Sequence, residues 1–406
     1  MSHVKRFALA LCLILLVPAA AQAAGKPPPL TILVSIDGFR ADYLDRGLSP
    51  NLSALAASGA RPRGGMRPSF PSLTFPNHYA LVTGLRPDRN GIVDNVMRDE
   101  ARPGMTFGMG KPQMVTDAFW WDQAEPIWVT AQKAGMPTAT MFWPGSEAPI
   151  RGVWPTYYKP YDKTFLAPDR VNQVLTWLDL PAARRPRLVT LYFDLVDTAG
   201  HHAGPDSQEV NDAIASTDQA IGQLVAGLKA RGLYGRTNLV IVADHGMAQT
   251  SPERVVYLDD VFDLERLGQV TGGSMSEMNP ADPQALAAIL APHDHFQCWK
   301  KADVPERFHF GKNPRVPAVV CLAETGWTIT TKAYAASRPM KTVGGAHGYD
   351  PYDPQMAALF IAEGPKIRRG VTVEPFDNVD VYVLVARLAG IKALPGDGRL
   401  PKGVLR

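Results

Sequence analysis

Three aspartates each close a short apolar run: Asp37 follows residues 30–36, Asp197 follows 188–196, and Asp244 follows 239–243. One aspartate after a strand is an ordinary turn residue or helix cap. Three of them, with histidines attached, ask for more. Asp197 and His201 stand four residues apart, Asp244 and His245 are adjacent, and His347 lies in the glycine-rich GGAHG of residues 344–348. Carboxylate oxygen and imidazole nitrogen suit zinc, and six such ligands in two sets of three make a two-metal site. Any one of these motifs taken alone reads as a structural feature; the set does not.

Thr74 adds a hydroxyl. It sits in PSLTFPN, residues 71–77, just before a helical pattern. A helix N-terminus favours an anion. Read locally, Thr74 caps that helix. It becomes a useful nucleophile only where its pKa is lowered, which a zinc ion can do.

The elements that must position these groups alternate. Strands are predicted over 30–36, 138–143, 188–196, 239–243 and 359–362, and helices over 50–59 and 210–228. In the second helix Ile214, Ile221, Leu224, Val225 and Leu228 recur at helical spacing. Continuous apolar strands between helices predict an α/β fold, with a mostly parallel central sheet covered on both faces. Sites in such sheets form at the carboxyl ends of strands, where the three aspartates fall. Residues from about 262 to 340 are rich in Pro, Gly, Asp and His and weakly periodic, and they predict an inserted subdomain packed near the site. His293, His295 and His309 within it read as exposed histidines rather than a third metal site.

The 406 residues, 46% hydrophobic, suffice for a large core, and a net charge of +3 gives no electrostatic case for a nucleic-acid surface. Lys5 and Arg6, the apolar stretch 7–17 and the Ala-Gln-Ala of 21–23 form a signal-peptide pattern. Cleavage after Ala23 leaves a catalytic domain over 24–406, with no membrane span expected and a periplasmic location, secretion being the alternative. Cys298 and Cys321 remain, a candidate disulfide in an exported chain, with two buried free thiols as the alternative.

The motifs together resemble the nucleotide pyrophosphatase/phosphodiesterase family of the alkaline phosphatase superfamily. The matching pieces run in family order: SIDGFR (35–40), LTFPNH (73–78), LVTGL (81–85) with GIVDN (91–95), DTAGHHAGP (197–205), ADHGM (243–247), HGYD (347–350) and FDNV (376–379). Pro351 departs from the asparagine usual after HGYD, which alters the loop behind His347 and removes no ligand.

The resemblance implies an alkaline phosphatase-like fold and two zinc ions. One is held by Asp37, Asp244 and His245 and binds the Thr74 oxygen; the other is held by Asp197, His201 and His347. It implies that Asn95 contacts phosphoryl oxygens, that Phe75 and Tyr158 sandwich a nucleobase, and that phosphodiester or pyrophosphate bonds of nucleotides are hydrolysed through a phospho-threonine on Thr74. The same metals on lipid or choline phosphodiesters, or on phosphomonoesters, are the alternative. A non-catalytic exported metal-binding protein is the reading from another class, and intact Thr74 with six intact ligands counts against it.

Overall fold

The computed structural model describes residues 30–268, 270–337 and 343–406. The signal-peptide pattern at 1–23 therefore lies outside the described residues. No helix among the described residues is long and apolar enough to cross a membrane.

An eight-stranded sheet forms the centre. Its strands are β1 (Leu30–Ile36), β2 (Ala60–Pro62), β3 (Thr138–Met141), β4 (Tyr157–Lys159), β5 (Leu188–Phe193), β6 (Thr237–Val242), β7 (Phe360–Glu363) and β8 (Val371–Val373). Their spatial order is β8-β2-β7-β6-β1-β5-β3-β4, and β7 alone runs antiparallel to its neighbours. Every residue of β5 and β6 is buried, and so is every residue of β1 after Leu30. Successive strand side chains point to opposite faces, so both faces of the sheet centre are covered, as the unbroken apolar runs require.

The helices are α1 (Pro50–Ser58), α2 (Thr74–Thr83), α3 (Ala167–Leu178), α4 (Leu195–Ala203), α5 (Gln208–Ala230) and α6 (Asp380–Ala389). In α3, Val171, Val174, Leu175 and Leu178 make the inward stripe at i, i+3, i+4 and i+7. In α5, Ser207 caps the start by accepting the Val210 N–H. The start of α1 has Ser49 in the capping position without a side-chain bond. Its free N–H groups are met from α5 instead, where Asp218 accepts from Asn51 at 3.1 Å and Leu52 at 2.8 Å.

The strand predicted over 188–196 ends earlier, at Phe193, and α4 begins at Leu195. Asp197 and His201 are thus one helical turn apart on a single face, the physical basis of their spacing.

Between Met275 and Ala323 a second, antiparallel sheet forms from Met275–Met278, Val319–Ala323 and Phe296–Lys300. It packs with helix Pro283–Leu290 around a separate apolar cluster that includes Met278, Ile289, Phe296 and Val319. Cys298 and Cys321 stand directly opposite on neighbouring strands and form a disulfide across a separation of 23 residues. Replacing both by alanine is expected to lower the unfolding free energy by about 3 kcal/mol, through loss of a loop constraint on the unfolded chain. Denaturant midpoints of the two proteins measure this, and equal midpoints would show that the sheet needs no crosslink.

Candidate metal centre and nucleophile

The register of the sheet brings the acids together. Ile36 is level with Phe193, and Ser35 is level with Val242, so the carboxyl ends of β1, β5 and β6 form one ledge. The Asp37 N–H donates to the Phe193 carbonyl at 2.9 Å and fixes the turn off β1. Gly38 follows with φ +66°, and a Cβ there would lie 2.9 Å from the backbone of Asp197. Glycine is what lets this turn press against α4. Gly345 plays a matching part before His347, where a Cβ would stand 2.4 Å from the Gly200 carbonyl. The close approach in that loop is to the helix carrying Asp197 and His201.

Six side chains fall into two groups, Asp37 with Asp244 and His245, and Asp197 with His201 and His347. In the first, His245 Nε2 is 3.0 Å from Asp244 Oδ2 and 3.5 Å from Asp37 Oδ1. In the second, His201 Nε2 is 3.1 Å from His347 Nε2 and 3.5 Å from Asp197 Oδ2, while His347 Nε2 is 3.6 Å from Asp197 Oδ1. The His245 and His347 rings stack at 3.5 Å, so the groups adjoin. The first is fully buried, whereas His201 in the second is half exposed.

Backbone carbonyls set the tautomers. His201 Nδ1 donates to Gly345 O, His347 Nδ1 to Ser72 O and His245 Nδ1 to Gly246 O, each at 2.9 Å. The Nε2 atoms of the neutral rings therefore carry lone pairs and face carboxylates or one another. Asp37 Oδ1, Asp197 Oδ1 and Asp244 Oδ2 are buried with no hydrogen-bond donor. Such a set of acceptors repels itself unless a cation lies among them. Four donors around a tetrahedral ion at roughly 2.0–2.1 Å stand about 3.3 Å apart, which these separations bracket. The donor set fits a metal ion in each group.

The charges act strongly on one another. Burial first, then the neighbouring Asp244 and Asp197 carboxylates, push Asp37 well above the usual carboxylate range. Burial would likewise raise Asp244, but the His245 and His78 imidazoles outweigh it and hold that carboxyl well below. Burial would lower His245, and Asp244 reverses this. His347 is held well below the usual imidazole value by burial and by the charges of His245 and His201.

Thr74 is the first residue of α2, and Leu73 occupies the capping position. The cap suggested by local sequence is therefore not formed. The Thr74 hydroxyl instead lies 3.3 Å from His245 Nε2. Asn77 holds the preceding turn, accepting from the Ser69 N–H at 2.7 Å and donating to Pro71 O and Leu73 O at 2.8 Å. Asn378, in the FDNV motif, donates to Asn77 at 2.8 Å and accepts from the Ser69 hydroxyl at 2.7 Å. That distant motif thus stiffens the turn that carries Thr74. Asn95 accepts the Phe75 N–H through Oδ1 at 2.9 Å, so its NH₂ is the donor end of the amide.

Phe75 is half-buried against Phe107 and Trp121, each at 5.8 Å, while Tyr158 stands exposed on edge strand β4. Phe75 and Tyr158 are not brought into ring contact among the described residues. Arg40 is engaged elsewhere, by Asp42 at 2.6 Å and by the Met247 carbonyl at 3.1 Å. Two residues carried no expectation from sequence. Tyr192 donates its hydroxyl to Asp37 Oδ2 at 2.6 Å. His78, at the end of LTFPNH, reaches within 3.3 Å of Asp244 Oδ2. Tyr192 reads in sequence only as part of an apolar strand, and His78 as one more residue of a helix.

Residues 31–350 match the type I phosphodiesterase / nucleotide pyrophosphatase family. The chain belongs to that family. An uncharacterized pyrophosphatase/phosphodiesterase of Schizosaccharomyces pombe is 36% identical over 380 residues, 90% of this chain and 78% of that protein. A venom phosphodiesterase of Macrovipera lebetinus is 38% identical over 394 residues, 94% of this chain and 45% of that one. The chain thus spans less than half the length of several animal relatives it matches. Murine ectonucleotide pyrophosphatase / phosphodiesterase 5 shares the fold with a TM-score of 0.85 at 33% identity, covering 91% of this chain and 97% of that one. An inactive threonine-to-alanine variant of that murine protein has been solved in complex with AMP. The named relatives are hydrolases, and this chain of their family has two candidate metal-ligand groups.

Proposed function

We propose that this chain is a two-zinc nucleotide phosphodiesterase/pyrophosphatase that works through a phospho-threonine on Thr74. The observation that carries the reading is the Thr74 hydroxyl, turned away from capping α2 and set 3.3 Å from His245 Nε2. The AMP complex of the murine relative, with a threonine replaced in the inactive protein, supports it.

Asp37, Asp244 and His245 would hold one zinc, and Asp197, His201 and His347 the other. When bound, the two ions supply positive charge that lowers the pKa of hydroxyl and water and neutralises phosphoryl oxygens. Thr74 Oγ1 attacks phosphorus in line, the alcohol or nucleotide leaves, and a Thr74 phosphoester forms. Water then hydrolyses that ester and returns the threonine. The Asn95 amide NH₂, fixed through its oxygen, donates to an equatorial phosphoryl oxygen as charge develops there. Since Arg40 is tied to Asp42 and Met247, no arginine of the matched motifs is left to bind the extra charge of a monoester. This favours diesters.

Phe75 and Tyr158 would stack the base, Phe75 being already backed by Phe107 and Trp121. We read residues 24–406 as one catalytic domain carrying the second sheet as an insert. We place it in the periplasm, because of the signal-peptide pattern and a disulfide suited to an oxidising compartment.

The test compares initial rates of the zinc-loaded chain on a nitrophenyl nucleotide ester, a nitrophenyl choline phosphate diester and nitrophenyl phosphate. Preference for the nucleotide ester is expected. Preference for either other substrate moves the substrate class and leaves the metal groups in place. Phe75→Ala is expected to raise KM for the nucleotide ester about tenfold, as loss of one base stack does, and to change KM for the choline ester far less. Equal changes would argue against stacking.

A further inference from the structure

The ligands account for the metal-facing atoms, but not for what holds them from behind. His78 is fully buried on α2, one turn after Thr74. Its Nδ1 is 2.9 Å from the Thr74 carbonyl oxygen and 3.3 Å from Asp244 Oδ2. Both partners only accept, so Nδ1 carries the hydrogen. Nε2 then accepts the Ser35 hydroxyl at 2.8 Å, from a residue two before Asp37 on β1. Trp143 and Tyr192 pack edge-on against the ring, each at 5.2 Å, and prevent it from turning.

One ring N–H therefore bonds the peptide of the nucleophile, and the same nitrogen stands 3.3 Å from a carboxylate of the metal group. In the other group the corresponding contacts are separate carbonyls, Gly345 for His201 and Ser72 for His347. We propose that His78 is a positioning residue, which fixes the distance between the turn bearing Thr74 and the carboxylate of Asp244. This rests on the reading of Thr74 as nucleophile beside a zinc at Asp37, Asp244 and His245. Polar partners that orient ligands typically change metal affinity 10–100-fold when removed.

Two isosteres separate positioning from packing. Asparagine places its amide nitrogen near Nδ1, whereas glutamine places its own near Nε2 and fills the space better. In zinc-loaded protein titrated with a chelator, His78→Gln is expected to hold one of its two zinc ions about 10–100-fold more weakly. Its kcat on the nucleotide ester is expected to fall about tenfold or more, with KM nearly unchanged. His78→Asn is expected to recover most of both losses. If His78→Gln matches or exceeds His78→Asn, the ring only fills space and the proposal is overturned. Should either variant unfold, Ser35→Ala removes the hydroxyl that fixes the ring. It should weaken the same zinc by a smaller factor, and unchanged retention there would also overturn the assignment. Zinc retention is read without turnover, so an error in the substrate class would leave the order of the two isosteres intact.

Discussion

Thr74→Ala is expected to abolish turnover, by on the order of 10⁴-fold or more, while two zinc ions per chain are retained. The substitution removes one hydroxyl from a side chain that is nearly buried and caps nothing, so the cost to folding is small. The six candidate ligand side chains are untouched, and Asn77 still pins the turn through Ser69, Pro71 and Leu73. Metal analysis beside the rate assay separates the two effects. A variant that keeps most of its activity would mean that water attacks directly, and the phospho-threonine would have to be abandoned. Quenching wild-type turnover in acid and finding phosphate on the peptide bearing Thr74 is the complementary measurement.

Asp244→Asn should cost nearly as much by another route. The carboxylate is wholly buried, and its Oδ1 accepts the Gly38 N–H at 3.1 Å. Its Oδ2 lies 3.0 Å from His245 Nε2 and 3.3 Å from His78 Nδ1. Asparagine conserves the volume but removes the charge. Either orientation of the amide also turns its NH₂ toward a group that had faced an acceptor, Gly38 N–H on one side or the ligand cluster on the other. Zinc content is expected to fall from two to about one per chain, and turnover by about 10³-fold or more. Two zinc ions per chain after dialysis of the variant would remove Asp244 from the ligand set. The group of Asp197, His201 and His347 lies on α4 and the 344–347 loop, so it should keep its ion and serve as an internal control.

Much of this was readable in the chain itself. The largely apolar runs at 30–36, 188–196 and 239–243 indicate strands buried on both faces, and so a mostly parallel sheet under helices. Acids just beyond those runs must then meet at one end of it. Six candidate ligands lie there and in the adjoining helix and loop, and the order of the motifs carries the family. Local patterns failed where the answer lay in another element. Residues 194–196 look like more strand because they are partly apolar, yet the chain turns there into α4. At the start of α1, Ser49 makes no side-chain cap and Asp218 from α5 satisfies those N–H groups, a partner no local pattern names. Thr74 looks like a cap and is not one, because its hydroxyl is directed at His245, 171 residues away in sequence.

Strand periodicity and side-chain chemistry are local properties, and they sufficed to name six candidate ligands and the end of the sheet at which they gather. Only the tertiary structure decided how those residues are held. The turn at Gly38 against Asp197, the carbonyls that fix three imidazoles, Tyr192 behind Asp37, and His78 between Thr74 and Asp244 are contacts between segments far apart in the chain. Their partners are named by packing, and packing leaves no spacing to read.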